Sequence, residues 1–360
     1  MRILLGALAL ALASPVVTGP PATADSVRPP LRWHESHVDP AQSYRGLDAV
    51  NRRTAWLAGG SGLEEGGAGS VWRTTDGGRI WQNVSPVAGG AELMFRDIEA
   101  RSAREAVALA IGPGAASRIY RTSNGGRTWK LAFRNPDPDA FYNCMDFYPG
   151  GKRGLAVSDP VDGKFRILRT RDGGRSWKVL PDAGMPDSAG EFNFAASGDC
   201  LVIKGRHSWF GSGGASARIF HSRDFGTTWR ATESTIPTGE AAGVFGLAFR
   251  TPRQGVAVGG SFETPAVAED ASAITRNGRT WRNGGDLPKL GEDAAWLPGG
   301  HGRTVLAVGE SGEVAGSAIS RDGGRTWSRF SKRGYHTLDC TNDGSCWAAG
   351  GDGRVARFVY

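Results

Sequence analysis

Ser320-Arg321-Asp322-Gly323-Gly324-Arg325-Thr326-Trp327 is one of six copies of the same pattern. The others run from Thr74 to Trp81, Thr122 to Trp129, Thr170 to Trp177, Ser222 to Trp229 and, one residue shorter, Thr275 to Trp281. Their closing tryptophans are 48, 48, 52, 52 and 46 residues apart. A period of that length with one glycine-rich turn per copy marks an array of small β units. Each copy reads as a hairpin. Thr or Ser leaves a strand, Asp or Asn tolerates the left-handed region and bonds the backbone ahead of it, Gly-Gly supplies positive φ, and Trp opens the next strand. Ahead of the turn, stretches such as Val71-Trp72-Arg73-Thr74 and Ile119-Tyr120-Arg121-Thr122 are the β-branched and aromatic set of a half-buried strand.

The pattern Ser/Thr-x-Asp-x-Gly-x-x-Trp resembles the Asp-box (BNR) repeat of β-propellers, and its copies span nearly the whole chain. The expected fold is therefore all-β, a seven-bladed propeller of four-stranded blades. The first full unit reads as inner strand Tyr44 to Val50, second strand Thr54 to Gly59, a Gly-rich connection through Glu64 and Glu65, a third strand to Thr74, the box, and outer strand Trp81 to Val84. Second strands recur as short apolar runs, for example Gly255-Val256-Ala257-Val258-Gly259 and Val305-Leu306-Ala307-Val308-Gly309, which suits sheets packed on both faces. The last unit has only three strands, Tyr335 to Cys340, Ser345 to Gly350 and Arg354 to Phe358. Leu31 to Val38 is a strand without a box. Pairing the two termini closes the ring and removes its free edges.

Met1-Arg2, the apolar run Ile3 to Ala13 and Ala22-Thr23-Ala24 read as a secretory signal over residues 1–24, too short for a membrane span. No later stretch is apolar enough to cross a bilayer. A single propeller domain is expected over 25–360, in a soluble periplasmic or secreted monomer. Cys340 and Cys346 flank an Asp343-Gly344 turn and are expected to form a disulfide across adjacent strands. Cys144 opens an inner strand and Cys200 a second strand, which puts them at opposite blade ends as packed thiols.

The formal charge of +7 raises nucleic acid and anionic lipid as partners. Many arginines belong to the repeat, however, and are spread over every blade without a compact run carrying interleaved aromatics, which argues against nucleic acid. The six histidines show no His-Glu-x-x-His and the cysteines no Cys-x-x-Cys, so no metal is expected. No cofactor is expected either, for want of a Gly-x-Gly-x-x-Gly or a Cys-x-x-Cys-His.

Propellers concentrate function at the channel mouth formed by inner-strand starts and second-to-third connections, opposite the boxes, so departures from the repeat are the informative residues. At inner-strand starts these are Arg45, Arg96, Asn143, Glu191 and His336. The connections add Asp159 in Ser158-Asp159-Pro160-Val161-Asp162-Gly163, His207 and Trp209 in Lys204-Gly205-Arg206-His207-Ser208-Trp209-Phe210, Ser261-Phe262-Glu263, and Glu310. Trp209 and Phe210 read either as an exposed platform for a sugar or peptide or as a cap on the core beneath a long loop. Arg45 and Arg96 occupy equivalent places in neighbouring blades. Either they grip one carboxylate or phosphate, or they pair with Asp97, Asp146, Glu191 or Asp159.

Three function classes follow from the resemblance. The chain resembles photosystem II stability/assembly factor-like proteins, which implies a binding role toward a protein segment or an anionic or carbohydrate ligand. It resembles sialidases more distantly, which implies a glycoside hydrolase. Here the Phe/Tyr-Arg-Ile-Pro motif survives only as Phe165-Arg166-Ile167-Leu168, and Glu191 with Asp159 are the candidate carboxylate pair. Finally, Ser158 to Phe165 and Phe194 to Gly198 are similar to segments of bacterial exported proteins labelled oxidoreductases, a chemistry that no motif here supports. The binding reading comes first.

Overall fold

The computed structural model describes residues 31–61, 68–86 and 92–359. The signal segment and the connection through Glu64 and Glu65 lie outside the described residues. Seven sheets succeed one another along the chain. Each is an antiparallel meander whose inner strand lines the channel and whose fourth strand faces outward. In blade 1 the order is Ser43–Ala49, Ala55–Gly60, Ser70–Thr74 and Gln82–Asn83. Blade 7 combines Thr337–Cys340, Cys346–Ala349 and Arg354–Val359 with the N-terminal strand Arg32–His37, in register from Arg32 opposite Val359 to His37 opposite Arg354. The ring is thus closed by the two ends of the chain. Among the described residues the only helices are two three-residue 3-10 turns, Gly114–Ala116 and Gly198–Cys200. No described helix is long and apolar enough to cross a membrane.

The boxes are self-bonded hairpins. In the last, Asp322 Oδ1 accepts from the amides of Arg325 and Thr326, both at 3.0 Å, and Ser320 Oγ accepts from Gly324 N at 2.8 Å. Gly323 and Gly324 have φ of +82° and +87°, values that only glycine adopts without strain. Box 4 puts Phe225 at φ +61° instead, with the guanidinium groups of Arg153 and Arg206 over its ring. Several box tryptophans cross to the preceding blade. The ring of Trp129 meets Trp56 edge-on and donates to Val84 O, and Trp81 meets Trp347.

At the channel the blades are joined by carboxylates. Asp339 Oδ2 accepts from Ala49 N at 2.8 Å, Asp48 from Ala100 N at 2.5 Å, Asp97 from Met145 N at 2.6 Å, Asp146 from Ile203 N, and Asp293 from Leu338 N at 2.8 Å. Each bond runs from one inner strand to the next. Strands approach closely enough there that a Cβ on Gly46 would lie 2.9 Å from Asp97 Cα.

Blade 4 departs from the sequence reading. Its inner strand is Leu201–Lys204 and its second strand His207–Gly211. Glu191–Phe192 is not an inner strand. It pairs with Gly213–Gly214, which pairs with the start of the long strand Gly239–Thr251, so blade 5 carries a small lip and has six strands. The shift also corrects the cysteine assignment. Cys200 precedes an inner strand, beside Cys144 in the adjacent inner strand Tyr142–Phe147, and the two are disulfide-bonded with Cα atoms 6.1 Å apart. Cys340 and Cys346 are bonded as well, and no described cysteine is free.

Two tests follow. Trp33 packs on Tyr335 and Phe358 and donates to Ser317 Oγ at 2.8 Å, so Trp33→Ala should destabilise the closed ring by about 2–3 kcal/mol in urea titration. The second concerns pH. Burial raises Asp97 to about 8 and Asp146 and Asp293 to about 7, against about 3.9 in the unfolded chain. The folded state therefore holds extra protons, and stability should fall as pH rises from about 6.5 to 8. Below that window His221, held down to about 4 chiefly by burial, acts in the opposite sense. Melting temperatures across the window should drop in wild type and drop less in Asp97→Asn, where Asp146 and Asp293 still titrate.

Candidate functional site at the channel mouth

The end of the ring opposite the boxes is where the fourth strand of one blade passes to the first of the next. Arg45 and Arg96 both stand there, at the starts of Ser43–Ala49 and Met94–Ala100. Arg45 Nη1 donates to Glu292 Oε1 at 2.7 Å and to Ala196 O at 2.8 Å. Its partner is therefore none of Asp97, Asp146, Glu191 and Asp159, but a carboxylate from blade 6. Glu292 has no exposed surface, and also accepts from Glu310 N and His336 Nδ1, each at 2.8 Å. Burial pushes its carboxyl up, but His336 and Arg45 outweigh burial and hold it at about 2. His336 Nε2 lies 3.4 Å from Glu310, which pairs in turn with Arg354. Burial, then Arg45, keeps His336 below the usual histidine range.

Arg96 has no such partner. Its Nε and Nη1 are shielded from solvent and bonded to nothing among the described residues. Burial and the neighbouring Arg45 push its pKa well down, and Glu292 only partly restores it. A cavity of about 260 Å³ opens beside it, lined by Arg45, Arg96, Phe194, Ala195, Ala196 and Phe262. The apolar side is built by Phe245, which meets Phe194 edge-on and stacks on Phe262 at 4.5 Å. An unpaired guanidinium against an apolar wall suits one anionic group flanked by apolar surface.

The other candidates divide. Asn143 Nδ2 donates to Asp159 Oδ1 at 3.0 Å, and that oxygen also accepts from Asn193 N at 2.8 Å. Burial raises Asp159 to about 6. Glu191 accepts from Ser212 Oγ at 2.6 Å and from Nε and Nη2 of Arg218. Its carboxylate thus anchors the lip. His207 and Trp209 are not at the mouth. With Leu201–Lys204 as the inner strand, Lys204-Gly205-Arg206 becomes a first-to-second turn at the box end. Trp209 and Phe210 are then fully buried in the second strand, where Trp209 stacks on Phe249 and donates to Gly278 O. His207 faces His221, with Nδ1 and Nε2 2.8 Å apart. The exposed-platform reading of Trp209 and Phe210 is overturned.

Sequence reasoning missed Glu292, Phe194 and Arg354. Glu292 was detectable, since it precedes Asp293 at the position His336 holds in the next blade. Phe194 was hidden by the misplaced inner strand. Among the described residues no group of three or more His, Cys, Asp and Glu is placed to hold a metal ion.

Residues 318–329 match the BNR/Asp-box repeat profile. No curated protein sequence matches the chain. Several solved propellers share its architecture. YCF48 bound to a D1 peptide superposes with a TM-score of 0.62 at 15% identity, over 91% of this chain and 97% of that one. YCF48 from Cyanidioschyzon merolae gives 0.62 at 16%, over 91% and 98%. The WD40 β-propeller domain of Doa1 gives 0.58 at 12%, over 91% and 97%. At these identities the likeness is one of fold.

Glu292 is the hub of the mouth. Glu292→Ala leaves the Arg45 and His336 side chains without their shared partner and should cost about 3–5 kcal/mol, the scale for breaking a buried pair from one side. Urea denaturation measures it.

Proposed function

We propose that the protein is an exported binding module that takes an extended, anionic protein segment at the channel mouth. The observation that carries this reading is Arg96, whose shielded Nε and Nη1 lack partners at the edge of a cavity with an apolar wall. A buried donor without an acceptor is costly, and an incoming carboxylate removes that cost. Arg45, already bonded to Glu292 and Ala196 O, orients the wall and adds field. The structural neighbour bound to a D1 peptide supports a peptide as the ligand class. Two disulfides and the signal-like start of the chain support export.

The test is fluorescence anisotropy with labelled acidic and neutral peptides of matched length. Wild type should prefer the acidic set. Arg96→Ala should weaken binding by about 2 kcal/mol, roughly 30-fold, the scale for a hydrogen bond to a charged group. Arg96→Lys should fall between, because an ammonium cannot form the paired bonds of a guanidinium. Equal affinity for both peptide sets, or no change in Arg96→Ala with an unchanged circular dichroism spectrum, would sink the reading.

A further inference from the structure

The antiparallel meander places the first-to-second turns and the box hairpins at the same end of every blade, and that end carries the positive charge of the protein. The turns span residues 50–54, 101–105, 148–153, 204–206, 250–254, 297–304 and 341–345, and the boxes 74–81, 122–129, 170–177, 222–229, 275–281 and 320–327. Together they contain twenty Lys and Arg, all exposed, and six Asp and Glu. These segments are therefore at +14, and since the whole chain is +7 the remaining sequence is at −7. The arginines are shared among the blades, as the repeat implies, yet the fold gathers them onto one face.

The hairpins form a continuous surface. Within blades, Gly77 N donates to Arg53 O, Gly173 N to Lys152 O and Gly323 N to Arg303 O. Between blades, Arg73 Nη1 donates to Ala103 O and Gly125 O, and Arg121 Nε to Gly173 O. Little neutralises the charge from within. The ion pairs among these segments are Arg52 with Asp343 and Arg101 with Glu105, at 3.4 and 4.0 Å. The box aspartates are turned onto their own backbone amides and hydroxyls, as Asp322 is. A funnel of about 540 Å³ opens at this end, lined by Asp199 and Asp339 and also by Lys204 and Arg250. The basic side chains stand around it on six blades.

We propose that this face rests on an anionic phospholipid bilayer. A small anion or short peptide reaches one or two blades, whereas a charged plane meets all six at once. The basic side chains then add their attractions within a Debye length of the surface. Ile80, 64% exposed beside Arg79, is the one large apolar side chain that the boxes expose, so the contact is electrostatic and reversible. The face lacks the exposed aromatic rings on which single-stranded nucleic acid stacks. Seated this way, the protein turns its mouth away from the membrane.

Cosedimentation of the folded protein with vesicles tests the proposal. Binding is expected to phosphatidylglycerol vesicles at about 0.05 M salt, with loss at about 0.5 M, and none to pure phosphatidylcholine. The combined variant Arg53→Glu, Lys152→Glu, Arg253→Glu and Arg303→Glu should bind phosphatidylglycerol at least about 10-fold more weakly with an unchanged melting temperature. The single variant Arg253→Glu, whose side chain has no bonded partner among the described residues, should show a smaller loss and guards against misfolding of the fourfold change. Arg96→Ala, at the opposite end, should bind vesicles as wild type does. The proposal is overturned by equal binding to both lipids, by no binding to either, by charge reversal without effect, or by duplex DNA binding as tight as that to phosphatidylglycerol.

Discussion

The ring depends on a carboxylate in one inner strand accepting an amide proton from the next. Asp339, Asp48, Asp97 and Asp146 do this in succession from blade 7 through blade 4, and Asp293 joins blade 6 to blade 7. An inner strand has amides on its channel side that no neighbour within its own blade satisfies. A short acidic side chain solves this by bridging blades. The cost is desolvation, which is the largest cause of their raised pKa values, with like charges on other inner strands adding to it for Asp48, Asp97 and Asp146. That shift favours the protonated form of these groups, which still accepts the amide proton of the next strand.

Farther out, adhesion is apolar. Cores form between sheets, such as Trp56, Ala58, Phe95 and Ala108 between blades 1 and 2, and Leu57, Trp347 and Val355 between blades 7 and 1. The boxes link these cores to the periphery, since each sends a tryptophan into or beside them. Blade 4 shows how far the scheme bends. It follows a connection of about twenty residues from blade 3, and its geometry is held by Cys144–Cys200 and by Asn193, which donates to Gly211 O at 2.7 Å. That irregular segment supplies Phe194, Ala195 and Ala196 to the mouth. The least repetitive part of the ring thus shapes its most distinctive cavity.

The two ends of the ring have opposite characters. At the mouth, charges of both signs are buried and mostly matched, through the chain Arg45, Glu292, His336, Glu310 and Arg354, and Arg96 stands out by lacking a partner. At the box end, charges of one sign are exposed and mostly unmatched. Short-range geometry governs the first, and summed long-range field the second.

The count of blades, the meander of the blades other than the fourth, the box geometry, the terminal closure and the Cys340 to Cys346 link were legible in the chain alone. All rest on local patterns: a turn built on Gly-Gly, strands marked by β-branched, aromatic or short apolar runs, an incomplete last unit matched by a spare first strand. What needed the tertiary structure was everything set by distance across the ring. Glu191–Phe192 resembles an inner strand locally, yet Leu201–Lys204 takes that place because it continues the cores of the neighbouring blades. With that shift Trp209 becomes core, His207 moves to the box end, and Cys200 comes to lie beside Cys144. Arg45 finds Glu292 across 247 residues, Arg96 finds no one, and twenty basic residues that look scattered along the chain come to share one face. Sequence periodicity determines which residues recur. Only closure of the ring decides which of them meet, since the path across the channel is short and the path along the chain is long.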